Sequence, residues 1–144
     1  GREESAHGFE AIPDPEFSVR GPLAGLAALA ATSPSETVAL VVAIDQPFVR
    51  AETLAQLQAH CDDLPVVPID GDTRQVTCMA FPTGMLHAAS EEAAENGSLQ
   101  TLLERVGCVE VTEPMWADWG EDGRSWRSLD TPEDVARAVE VYGY

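Results

Sequence analysis

The chain has 144 residues, and its 25 acidic against 8 basic side chains leave a formal charge of -17. That length is one domain's worth, able to bury roughly two thirds of its unfolded surface. The longest apolar run is far too short to span a bilayer, and the charge repels nucleic acid and anionic membrane, so neither is expected as a partner.

All eight basic residues are arginine. A GC-rich or salt-adapted genome accounts for that bias, yet the lack of lysine removes the side chain that usually sits on the phosphates of a nucleoside triphosphate. Mean hydropathy is -0.10 and no signal peptide opens the chain, so a cytoplasmic protein is expected. Cys61, Cys78 and Cys108 are an odd number without CxxC spacing, which fits buried free thiols better than disulfides or zinc.

Residues 1–20 carry Pro13 and Pro15 and no sustained period, with room for a short strand over 9–12. GPLAGLAALAAT then reads as a helix of small residues made for close packing, with Pro22 at its first position. The continuous β-branched run at 37–44 predicts a strand covered on both faces. An amphipathic helix follows over 51–61, then a proline-flanked strand over 65–69 and a longer one over 75–81. Helices are predicted over 83–95 and over 98–107, the latter capped by Ser98 and stopped by Gly107. A strand over 108–112 leads into EPMWADWGEDGRSW, read as a loop holding all three tryptophans. A last short strand over 126–129 precedes a helix capped by Thr131, with Pro132 first and Asp134 answering the cap. Strands alternating with helices predict a single α/β domain with a largely parallel sheet.

Such sheets bind ligands outside the carboxyl ends of their strands. Asp45 stands there, at the end of VALVVAID, where a carboxylate either holds a divalent cation or starts the turn. Asp130 ends a second apolar stretch and offers the same chemistry, although DTPED also makes a helix start without any ligand. GPLAG places backbone N–H groups behind a glycine, suited to phosphate or to tight helix packing. Arg20, just before it, is read as a surface residue. HCDD at 60–63 lies at a helix end, where consecutive residues do not converge on one ion; His7 and His87 lack partners at ligand spacing, and Ser5, Ser18 and Ser98 lack a nucleophile's setting. The tryptophan run either stacks on a heterocycle or roofs the sheet, with roofing preferred.

Three segments in succession, IPDP…GPLAGLAAL, VALVVAIDQPFV and SLDTPEDVARA, resemble the molybdenum cofactor guanylyltransferase family and its nucleotidyltransferase relatives across residues 8–141. The resemblance implies a three-layer, Rossmann-like nucleotidyltransferase sheet. It implies transfer of GMP from GTP to molybdopterin with release of pyrophosphate, Mg²⁺ bridging the phosphates. By match Asp45 is the Mg²⁺ ligand, and Asp14 with Gly21, Pro22, Leu23, Ala24 and Gly25 contacts the nucleotide. Catalysis would then be positioning and charge neutralisation, with no catalytic side chain.

The chain departs from that family's pattern in two places. It has Ser128-Leu129-Asp130-Thr131-Pro132 where the guanylyltransferases have an asparagine form, which leaves CTP, or a phosphosugar or phospholactate acceptor, as alternatives. It also has no glycine-rich loop with arginine and lysine. The expectation is a chain lacking an amino-terminal strand, loop, helix and strand, inactive by itself, with bare strand edges that its own missing segment would cover. A non-catalytic binding module is the reading from another class.

Overall fold

The computed structural model describes residues 21–129 and 131–142. The strand expected over 9–12, together with Ser5, His7, Asp14, Ser18, Arg20 and Asp130, lies outside the described residues. In chain order the elements are α1 (Pro22–Ala30), β1 (Val38–Val42), α2 (Ala51–Ala59), β2 (Val66–Asp70), β3 (Thr73–Arg74), β4 (Cys78–Pro82), α3 (Leu86–Ala94), α4 (Leu99–Val106), β5 (Val109–Val111), α5 (Glu113–Asp118) and α6 (Pro132–Tyr142).

The sheet is built around β4, every residue of which is buried. It pairs antiparallel with β1, Val38 opposite Pro82 through Val42 opposite Cys78, and antiparallel with β2 at Val66 and Ala80. The far edge of β2 carries β5 in parallel. The α/β class holds, and the sheet is mixed: β1, β2 and β5 run one way, with β4 reversed between the first two.

Side chains alternate across β4 and sort the core into two layers. Met79 and Phe81 face α1, α3 and α4, with Leu23, Leu26, Leu102 and Leu103 around them. Cys78 and Ala80 face the other way, with Leu57, Val66, Val111, Trp116 and Trp126. The three layers of the expected architecture are therefore present. Burying a side chain such as Phe81 or Met79 contributes about 1.5–3 kcal/mol.

A proline sets the register break on β2. Gly71 at φ 64° lets Asp70 and Thr73 pair across a two-residue turn, and Gln75 N donates to Pro68 O at 2.8 Å. Pro68 has no N–H to continue that ladder. The returning strand leaves the register there, turning through Gln75–Cys78 (Cys78 N to Gln75 O, 3.0 Å) before it rejoins as β4. Thr77 sits in this excursion.

Three expectations change. The strand at 37–44 ends at Val42, and Leu40 and Val42 are 41% and 39% exposed; among the described residues nothing pairs with its outer edge. The tryptophan run is not all loop: Glu113–Asp118 forms α5, started by Pro114 in its first turn. No strand forms over 126–129, since Arg124–Trp126 is a tight 3-10 turn whose indole is drawn to the end of β2. Among the described residues no helix is long and apolar enough to cross a membrane.

Candidate nucleotide and metal site

The amino end of α1 and the carboxyl end of β1 face one groove of about 480 Å³. Gly21, Pro22, Gly25, Leu26 and Leu29 line one wall, residues 39–44 the other, and Thr77 lies at its end. Gly21 is at φ 79° and ψ -157°, a backbone conformation open mainly to glycine. It lets the chain turn sharply into Pro22, which begins the helix with no N–H to leave unsatisfied. Among the described residues no side chain caps α1, and its first turn holds no acid, so its leading N–H groups and the positive end of its dipole suit an anion.

The groove separates the residues of the GPLAG segment. Gly21, Pro22 and Gly25 are on its wall. Leu23 is 1% exposed and belongs to the core, and Ala24 is half-buried and off the lining. Asp45 comes one residue after Ile44, the last lining residue of β1's wall, and is exposed. Among the described residues its carboxylate has no hydrogen-bond or ion-pair partner, and no group of three or more His, Cys, Asp or Glu side chains converges on a cation position. A carboxylate that stands alone among the described residues fits Mg²⁺, which takes one or two carboxylates and completes its shell with water and phosphate oxygen. It would not fit a cation that needs an all-protein cage.

The backbone brings Asp45 to the residue before Asp130: Leu129 N donates to Asp45 O at 3.0 Å. The two segments that each carry an aspartate thus meet, although Asp130 lies outside the described residues.

Gln46, which sequence reasoning missed, organises this meeting. It is 3% exposed. Its backbone N–H closes a turn onto Ala43 O at 3.2 Å, and its Nε2 donates to Trp126 O at 3.3 Å and to Thr77 Oγ1. Its Oε1 is buried without a partner among the described residues, an arrangement that costs about 1–3 kcal/mol. Ala43 N also donates to Thr77 O at 3.1 Å.

Behind this turn the tryptophans roof the sheet. Trp116 and Trp126 meet edge to face at 5.1 Å, with Trp116 Nε1 donating to Ile69 O at 3.1 Å and Trp126 Nε1 to Asp70 Oδ2 at 2.8 Å. Glu121 holds their loop: Thr53 and Ser125 hydroxyls donate to its Oε1, and the N–H groups of Asp122, Gly123 and Ser125 to its Oε2. Arg124 grips Asp122 at 2.9 Å and holds that carboxyl below its usual range.

The remaining polar candidates do other things. His60 lies tilted at 39° against Trp119, ring centroids 5.4 Å apart, while Cys61 turns inward toward Leu64 O. Burial, with a smaller contribution from Glu121, pushes the Cys78 thiol up to about 12, so it is a neutral core group rather than a nucleophile. All three cysteines are free.

A three-layer α/β sheet with a groove at a strand's carboxyl end is an arrangement that many ligand-binding α/β proteins share. Residues 2–111 match the MobA-like NTP transferase domain, and the chain belongs to that family. Among solved structures it is similar to molybdopterin-guanine dinucleotide biosynthesis protein A of Archaeoglobus fulgidus, at 23% identity and a TM-score of 0.69, covering 85% of this chain and 63% of that one. It is also similar to a protein of Aquifex aeolicus VF5, at 18% identity and a TM-score of 0.62, covering 81% and 60%. The chain therefore spans about three fifths of the length of these solved relatives, and at such identities the likeness establishes the fold. No curated protein matches it.

Proposed function

We propose that this protein is a Mg²⁺-dependent nucleotidyltransferase that moves GMP from GTP to a phosphate oxygen of molybdopterin, releasing pyrophosphate. The observation that supports the reading is the groove between the start of α1 and β1, whose lining ends at Ile44, one residue before Asp45. The acceptor's phosphate oxygen bonds to the α-phosphorus of GTP as the bond to the pyrophosphate oxygen breaks, so no side-chain nucleophile is needed.

Gly21, Pro22 and Gly25 allow close approach of the nucleotide to backbone, and the first turn of α1 attracts its anionic part. Asp45, together with Asp130, would hold Mg²⁺, which when bound supplies charge neutralisation on the phosphates. Among the described residues no arginine lines the groove, and the chain has no lysine. Compensation of the triphosphate charge therefore falls to the cation, the helix dipole and groups outside the described residues.

The test is turnover of GTP and molybdopterin by the whole protein, read as pyrophosphate release. Asp45→Asn should reduce it by about 100-fold or more while the protein stays folded, because the carboxylate lies outside the core. Unchanged turnover in that variant overturns the metal assignment. CTP accepted as readily as GTP would move the substrate to a sister branch of the family. A second reading, a non-catalytic module that pairs the outer edge of β1 with a partner strand, draws on the exposure of Leu40, Val42 and Ile44; it predicts no nucleotide binding at all.

A further inference from the structure

We propose that Gln46 is a positioning residue for Asp45, fixing the metal-binding carboxylate by clamping its turn to two distant segments; this rests on the reading of Asp45 as the Mg²⁺ ligand. The orientation of its amide is settled by chemistry. The Trp126 carbonyl can only accept, so the NH₂ of Gln46 must face it, and the same NH₂ reaches the Thr77 hydroxyl. That choice leaves Oε1 buried and, among the described residues, unpartnered.

An apolar side chain of equal length would fill the space without an orphaned acceptor. The amide is thus a cost to the fold, and what it provides is the tie. Four hydrogen bonds converge on the short turn that presents Asp45. Ala43 N reaches Thr77 O, Gln46 Nε2 reaches Thr77 Oγ1 and Trp126 O, and Leu129 N reaches Asp45 O. Asp45 itself is exposed and, among the described residues, unpartnered. Its place is held by the backbone on either side rather than by its own contacts. A lone ligand held in place before the cation arrives loses less freedom on binding, and the saving appears as affinity.

The experiment measures Mn²⁺ binding to the whole protein in the presence of GTP, by the electron paramagnetic resonance of free Mn²⁺, alongside GTP binding without metal. Gln46→Glu puts an acceptor against the Trp126 carbonyl; Gln46→Met removes the donors and keeps the shape. Both should weaken Mn²⁺ binding about tenfold and leave metal-free GTP binding unchanged. Asp45→Asn should abolish the metal-dependent part. If the Gln46 variants bind Mn²⁺ within about twofold of the parent while Asp45→Asn does not, the positioning role is overturned and the ligand assignment stands. If Asp45→Asn also binds normally, both fall. Equal weakening of metal-free GTP binding would mean Gln46 merely supports the fold, which also overturns the proposal. Should both Gln46 variants fail to fold, Thr77→Val tests the other end of the clamp, and an unchanged Mn²⁺ affinity there overturns it.

Discussion

Glu121 is a carboxylate 3% exposed in a strongly acidic protein, and it is tolerable only because five donors meet it. The two oxygens are not equivalent. Oε2 accepts three backbone N–H groups, which cannot do anything but donate, whereas Oε1 faces two hydroxyls that can rotate and accept instead. Glu121→Gln can therefore place its NH₂ at the Thr53 and Ser125 hydroxyls and should cost no more than about 1 kcal/mol. Glu121→Ala strands every donor and should cost about 3 kcal/mol or more. Urea unfolding of the two variants separates them; similar losses would mean that charge rather than donor geometry holds the loop.

At the scale of elements, α4 shows how local chemistry fixes a boundary. Ser98 Oγ accepts from Thr101 N at 3.1 Å and Thr101 Oγ1 accepts from Ser98 N at 2.8 Å, a reciprocal cap with threonine in the place usually taken by glutamate. Ser98→Ala should cost about 1 kcal/mol, read as a fall in the urea midpoint at constant slope; no change would mean that Leu102 and Leu103 alone hold the helix. This cap, the Gly21–Pro22 start and the Thr131–Asp134 pair are all legible in sequence because every signal lies within four residues. α5 was not legible: six residues are too few for a helical period to show amid tryptophans. The strand expected over 126–129 failed for a tertiary reason, the pull of Asp70 on the Trp126 indole. The site divides in the same way. Asp45 is a candidate that its own segment suggests, whereas the partners of Gln46 lie 31 and 80 positions away, and no periodicity links such residues.

For the molecule as a whole, a charge of -17 means that folding gathers like charges into a smaller volume. In the pairs Arg50–Glu52, Arg74–Glu110, His87–Glu91, Arg105–Glu92 and Arg124–Asp122 at least one partner stays 40% or more exposed, so they offset little of the repulsion. Raising ionic strength from about 0.01 M to 0.15 M shortens the screening length from about 30 Å to 8 Å and should raise Tm; a falling Tm would show that attractive pairs outweigh the repulsion. The placement of β4 bears on how the chain is made. Among the described residues β1 pairs only with β4, which lies roughly forty positions further along. At about 5–20 residues per second, β1 leaves the ribosome about 2–8 seconds before β4, the strand that receives it among the described residues. Slowing translation between β1 and β4 should therefore raise the share of newly made protein that associates with neighbouring chains.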